Sequence, residues 1–451
     1  MILKKIVKVT FHQSACVLIE GDGVKILCDP WLVDGAYIGS WHIYPPYEFQ
    51  PNEFNDVDYI YVSHIHPDHF NDKTLMQLNK DIPVLIHNFP IKVLKKNIER
   101  LGFKTIEIEH DIRTHLKNKI HINILAADDC DPQLCGKHIG CVNLMSPSGT
   151  NWIDTMCVID DGDQVVVNTN DCPYELAQFA ATRIKNNYEH VDMLLNGYAG
   201  ASAYPHMFKM TDNEKEIAAD TKKSINYKRG ENYIKLLEPK YFMPFSGRYT
   251  LGGKLSIHYG KRGEPELEEG FNHLVSVIDQ NKSKGILINA KETFDLTTEK
   301  SSNPYVPINL EEKKAYIKNV LSKRKMDYEN DIEPSIEELK KLLIKSYERF
   351  ERMRKKFNYN SDVVIIIGLS TSEFVIISCK GEKINFVNKE KLSIYNKYVK
   401  MSLDSKLLKL LLGGPSKAHW NIAEGGGHIY FERVPEKYEL GLFYCLYNLY
   451  Q

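Results

Sequence analysis

The chain has 451 residues, which at roughly 150 residues per domain implies two or three folding units. Hydrophobic residues make up 43% and charged residues 26%, enough apolar side chain for a real core and too much for overall disorder. Lysine plus arginine number 58 against 59 aspartates plus glutamates, so no excess of positive charge advertises nucleic acid or anionic membrane.

The first nine residues are apolar but broken by Lys4, Lys5 and Lys8, too short and too charged for a secretory leader. No run approaches 18 apolar residues, so no membrane span is expected and the reading is cytoplasmic. The nine cysteines form an odd set along a long chain, which points to reduced thiols rather than a disulfide framework. Cys130, Cys135 and Cys141 stand close together but lack the tight CxxC knuckle of a structural zinc site, so buried thiols are the reading preferred over a metal cluster.

In chain order, residues 6–11, 16–20 and 24–28 read as a β-meander that runs into Asp29-Pro30-Trp31. A further strand at 59–63 leads directly into a histidine-rich loop. Helix at 72–79, strand at 84–87, helix at 91–101 and strand at 105–108 follow. Strands at 120–126, 155–159 and 164–168, a helix at 174–187 and a strand at 191–195 complete an alternation that predicts layered α/β. Turn formers at 297–309 mark a connection, giving a metal-binding domain at 1–296 and a smaller α+β domain at 310–451. That second unit opens with a charge-laced helical stretch, 310–357, and continues with strands at 363–369 and 374–378. Its basic residues are interleaved with glutamates, so the stretch reads as a solvated face.

The loop after residue 63 is His64-Ile65-His66-Pro67-Asp68-His69. Imidazole suits borderline metals and the carboxylate adds a hard anionic ligand. Four ionisable groups this close repel one another on protonation unless a cation compensates them. The motif therefore reads as a metal site.

HxHxDH following a strand resembles the metallo-β-lactamase-fold superfamily, and the resemblance implies a four-layered αββα sandwich holding one or two divalent ions, zinc first, with iron or manganese as alternatives. It assigns His64 and His66 to one ion, Asp68 and His69 to another, and Asp171, at the end of a later strand, to a bridge between them. His12 and Asp29 resemble buttressing residues of the ascorbate-6-phosphate lactonase-like branch. Where the superfamily adds a histidine to each ion, this chain offers Asp129 within Asp128-Asp129-Cys130-Asp131-Pro132, and Ser246 within Pro244-Phe245-Ser246-Gly247. Together with Asn170-Asp171-Cys172 and Asn196-Gly197-Tyr198-Ala199-Gly200, these segments are similar to the catalytic part of CMP-N-acetylneuraminate hydroxylases. That family receives electrons through a Rieske domain, and no Cys-x-His pair of that kind stands in this sequence.

Tyr198, Tyr204, Arg248 and Tyr249 lie in two glycine-rich stretches and are expected to form a rim that binds an anionic, phosphate- or sugar-bearing small molecule. His206 is the candidate acid for a leaving group, and Asp68 the candidate base. The leading expectation is a metallo-hydrolase in which metal-activated water attacks an ester, lactone or phosphodiester. The alternatives are an iron-dependent oxygenase acting on a nucleotide sugar with a separate electron donor, and a noncatalytic binding or defence module stabilised by its metal.

Overall fold

The computed structural model describes residues 7–127 and 154–451. Two large sheets stack face to face. The first has eight strands in the order Lys300–Ser301, Glu292–Asp295, Lys8–Gln13, Cys16–Gly21, Val24–Cys28, Tyr59–Tyr61, Val84–His87, Thr105–Ile108. The second has seven, in the order Lys284–Gly285, Tyr241–Phe245, Met193–Gly197, Val165–Asn168, Thr155–Asp160, Ile120–Ala126, Thr114–Lys117.

The strands are nearly continuous apolar runs because both of their faces are covered. Val166, Met193 and Leu195 point into the core between the sheets, against Val9, Val17 and Ile26. Their neighbours Val165, Val167 and Leu194 point the other way, onto the helices Tyr174–Asn187, Asp212–Leu237 and Leu267–Val277. The outer face of the eight-stranded sheet is covered by Leu75, Leu94 and Ile98 from the helices Asp72–Leu75 and Val93–Arg100. The expected αββα layering is present.

Helix Asp212–Leu237 was not among the sequence expectations. Its buried residues, Ala218, Asn226, Gly230, Tyr233, Ile234 and Leu237, form no clean apolar stripe. The local signal was a capping box, in which Thr211 accepts from the Glu214 backbone while Glu214 bonds the Thr211 backbone.

The stretch expected as a connection carries strand Lys300–Ser301, paired with Glu292–Asp295, so the first sheet reaches into it. Beyond it, the expected helical stretch is broken into Leu310–Asn319 and Ile336–Lys356, each with its own cap, Asn309 and Ser335. A five-stranded sheet follows, ordered Asn385–Asn388, Glu373–Ser378, Val364–Gly368, Tyr398–Ser402, Tyr430–Val434. This C-terminal unit shares one apolar core with loops of the sandwich: Trp31, Tyr37, Trp41 and Tyr249 cluster with Leu343, Ile365, Trp420 and Phe431. Backbone bonds close the seam, from Phe431 N to Met207 O at 2.8 Å and from Lys209 N to Phe431 O at 2.8 Å. Burying one large side chain contributes about 1.5–3 kcal/mol, so several rings at this seam hold the unit firmly against the loops. No helix among the described residues is long and apolar enough to cross a membrane.

Candidate metal centre

Strands Val24–Cys28, Tyr59–Tyr61 and Val84–His87 run parallel, and so do Val165–Asn168, Met193–Gly197 and Tyr241–Phe245. Their carboxyl ends therefore emerge at one edge of each sheet, the position where open α/β sheets bind ligands. Asp29, the His64–His69 loop, Asp171 and Ser246 all leave from these ends. Asp154 joins them from the start of strand Thr155–Asp160, which runs antiparallel to Val165–Asn168.

Asp29 organises the loop from below. Held with a positive φ of 43°, it accepts from Ser63 N at 2.7 Å, from Ser63 Oγ at 2.6 Å and from His69 Nδ1 at 2.7 Å. Ser63 Oγ also meets His64 Nδ1 at 2.9 Å. Because the Ser63 hydroxyl donates to Asp29, it accepts from His64, so His64 and His69 both carry hydrogen on Nδ1 and turn their Nε2 atoms upward.

Those nitrogens converge with carboxylates. His64 Nε2 lies 2.9 Å from His66 Nδ1 and 3.7 Å from Asp154 Oδ1. His69 Nε2 lies 3.3 Å from Asp171 Oδ1 and 3.6 Å from Asp68 Oδ2. Two triads have all their ligand atoms within 4.8 Å of one another: His64, His66, Asp154, and His64, His69, Asp171. Tyr37 donates to Asp68 at 3.1 Å and Ser246 Oγ donates to Asp171 at 3.0 Å.

The donor set fits a cation. His69 Nε2 and Asp154 Oδ1 are buried without a hydrogen-bond partner, and buried polar atoms are seldom left so. Burial, and then the charge of Asp171, pushes the Asp154 carboxyl up to about 8. Asp68 is raised to about 6 by burial, against the pull of His69. Burial and then the neighbouring His69 and His66 hold His64 well below the usual histidine range. Burial would lower His69 too, but Asp171, Asp68 and Asp29 outweigh it and pull it well above that range. Three carboxyls facing three imidazoles at the floor of a cavity are what a divalent ion neutralises. The residues that would hold it are His64, His66 and Asp154 on one side and His69, Asp171 and Asp68 on the other.

Above the cluster opens a cavity of about 1300 Å³, walled by His66, Asn170, Asp171, Tyr37, Trp41 and Tyr204 from the sandwich and by Tyr359, Asn421, Glu424, Arg433 and Tyr438 from the C-terminal unit. Three of its cations are shared with acids, Lys222 with Glu264, Arg229 with Glu175 at 2.8 Å, and Arg433 with Glu436 at 2.6 Å, and Lys437 also lines it.

The expected site residues separate into groups. His64, His66, Asp68, His69 and Asp171 come together, Asp29 lies directly behind them, and Tyr204 lines the cavity. His12 bonds Tyr47 Oη at 2.8 Å and packs on Phe54. The other expected rim residues are not among the cavity walls. Tyr198 is buried against Gly270, because the loop that carries it turns inward. Arg248 lies over the Phe11 ring at 4.3 Å. Tyr249 stacks on Trp41 at 3.6 Å and so acts on the wall from behind. His206 lies beside His258 and near Lys222 and Arg262; burial first, then these cations, holds it well below the usual range. Asp129, with Cys130, Cys135 and Cys141, lies outside the described residues.

Two participants escaped the sequence reading. Asp154 is a single aspartate before an apolar strand, and its only signal was a carboxylate at the edge of a β run. Tyr37 sits in a loop with φ 51°, its ring 4.0 Å from that of Trp41.

A family profile described as "Beta-lactamase superfamily domain" matches residues 8–132. A Mycobacterium tuberculosis (strain H37Rv) protein named "Putative Rieske 2Fe-2S iron-sulfur protein" is 29% identical over 244 residues, 53% of this chain and 43% of that protein. Cytidine monophosphate-N-acetylneuraminic acid hydroxylase of Danio rerio is 26% identical over 262 residues, 54% of this chain and 38% of that protein. The chain thus spans less than half the length of these curated relatives. Among solved structures, the metallo hydrolase Igni18 of Ignicoccus hospitalis covers 64% of this chain and 98% of its own, with a TM-score of 0.42 and 14% identity. CmlA, a diiron β-hydroxylase from Streptomyces venezuelae, covers 64% and 53%, with a TM-score of 0.40 and 15% identity. The histidine loop at a strand's end thus falls within the stretch, residues 8–132, that is similar to a beta-lactamase superfamily domain.

Proposed function

We propose that the chain is a metal-dependent oxygenase that hydroxylates a polar, sugar-bearing small molecule, with electrons supplied by a separate donor. The observation that carries this reading is the set His64, His66 and Asp154: two imidazoles and one carboxylate are the combination suited to non-haem iron with open coordination positions. His69, Asp171 and Asp68 offer a place for a second ion.

When bound, iron supplies the activation of dioxygen. The chain's own residues do the rest. Asp29 and Ser63 hold the imidazoles of His69 and His64 in one tautomer, and Tyr37 orients Asp68. Trp41, Tyr204 and Phe208 give the cavity an apolar wall, while Lys437 and the acid-paired Lys222, Arg229 and Arg433 are the cations that face an anionic group. The volume exceeds the roughly 300–1000 Å³ of an ordinary small-molecule pocket, which suits a substrate the size of a nucleotide sugar. The names of the hydroxylase and iron–sulfur relatives support the same direction.

Asp68 favours a second reading, hydrolysis. This carboxyl touches the Tyr37 hydroxyl and faces His69, where it could take a proton from an attacking water. The test is to load the protein with Fe(II) under anaerobic conditions, then supply oxygen, a reductant and a panel of nucleotide sugars. Uptake of one oxygen atom into a product, read by mass spectrometry and lost in Asp154→Ala, is expected. Retention of zinc with cleavage of an ester, lactone or phosphodiester, and no oxygen uptake, would replace this reading with the second.

A further inference from the structure

His64 and His69 each have an outer partner within the sandwich, Ser63 and Asp29. Among the described residues His66 has none there: its Nδ1 faces His64, and its other hydrogen bond goes to the side chain of Asn421, 355 positions further along the chain. Asn421 in turn bonds Tyr447, and the Tyr447 hydroxyl donates to Glu424.

Chemistry sets the direction of this chain of bonds. With Nδ1 of His66 turned toward His64, Nε2 is the nitrogen left to carry a hydrogen and donate it. The Asn421 amide oxygen then accepts, its NH₂ donates to the Tyr447 oxygen, and the tyrosine hydroxyl points onward to Glu424. Each donor along this chain of bonds meets an acceptor, and Glu424 and Tyr447 are buried. Asn421 and Glu424 share the short helix Trp420–Gly425, which is keyed to the sandwich. Gly425 lies so close to Tyr37 that a Cβ there would come within 2.9 Å of the ring, and His428 Nε2 meets Tyr37 O at 2.8 Å.

We propose that Asn421, Tyr447 and Glu424 are positioning residues of the metal site: a relay supplied by the C-terminal unit that fixes the tautomer and orientation of His66, so that metal binding depends on a segment distant in sequence from the superfamily motif. This rests on His66 being a metal ligand and is independent of whether the reaction is hydroxylation or hydrolysis. Outer partners of ligating histidines typically govern metal affinity by about 10–100-fold. The relay also ties the ligand to the cavity, because Asn421 and Glu424 form part of its wall.

The test is titration of the full-length protein with Co(II), reading affinity and the visible d–d absorption. Asn421→Ala is expected to weaken binding about 10-fold or more and to alter the band shape, and Tyr447→Phe to do the same more weakly. Asn421→Asp, which keeps an acceptor for the His66 N–H, is expected to restore much of both. Thermal melts of the metal-free proteins show whether each variant folds; if Asn421→Ala fails to, Tyr447→Phe and Asn421→Asp decide the matter, since both keep the packing. Wild-type affinity and spectrum in folded Asn421→Ala and Tyr447→Phe, with binding lost in His64→Ala, would overturn the relay while leaving the metal site standing. Unchanged Co(II) binding in His64→Ala would overturn both.

Discussion

Asp29 takes the Nδ1 hydrogen of His69 at 2.7 Å, and from this one contact the orientation of half the cluster follows. The same carboxylate holds the Ser63 backbone and hydroxyl, so a residue just after strand Val24–Cys28 fixes a loop that begins after strand Tyr59–Tyr61 of the same sheet. Asp29→Asn keeps the shape but removes the charge and places an NH₂ in competition with the His69 hydrogen. Metal affinity should fall about 10–100-fold, measured by competition with a chelator of known strength, while the far-ultraviolet circular dichroism stays that of the wild type.

Asp154 and Asp171 belong to different triads, and their replacements should separate. Asp154→Asn should weaken the ion shared with His64 and His66, and Asp171→Asn the one shared with His69. Elemental analysis after dialysis is expected to show partial loss in each single variant and full loss in the double. If Asp154→Asn retains the full wild-type content, Asp154 is not a ligand.

Gly425 packs against Tyr37, which is itself pressed on Trp41 at 4.0 Å. Gly425→Ala would have to displace that ring, and forcing extra volume into a packed core costs about 1–3 kcal/mol. A lowered melting temperature is expected, together with loss of activity, since Tyr37 also donates to Asp68. An unchanged melt would mean that the helix can slide away from the ring.

Burial raises the Glu424 carboxyl from its ordinary 4.5 to about 7. The folded protein therefore holds a proton there that the unfolded chain has released. The sign follows: between about pH 4.5 and 7 the native state binds more protons, so this residue's contribution to stability is present at the acid end and lost as pH rises through 7. The full effect is about 3 kcal/mol. Urea melts across that window should show wild-type stability falling with pH relative to Glu424→Gln, which still accepts from Tyr447 but does not titrate. Parallel pH profiles for the two proteins would contradict the assignment.

The parts of this architecture that are local in sequence were legible in it. Apolar strand 59–63 followed by His64, His66, Asp68 and His69 displays both the support and the ligands within a dozen residues. The end of strand Val165–Asn168 pointed to Asp171 in the same way. Asp154 carried no such pattern, because a lone carboxylate before a strand meets the histidines only when two sheets stack and bring their edges together. Tyr198, Arg248 and His206 sit in polar, glycine-rich loops resembling a binding rim, yet the chain folds them inward, where rings and neighbouring cations surround them. Asn421 lay beyond reach for another reason: its contact with His66 forms only when the C-terminal unit closes over the cluster. The helix Asp212–Leu237 was hidden by its mixed faces, although Thr211 and Glu214 marked its start.

The most direct test of the metal-centre claim is anomalous X-ray diffraction from crystals of the full chain grown with Fe(II) or Mn(II), collected at the metal's absorption edge. A strong peak ligated by His64, His66 and Asp154 is expected, with a second beside His69 and Asp171. Well-ordered crystals that bind the ion elsewhere, or leave these side chains without a peak among them, would contradict it.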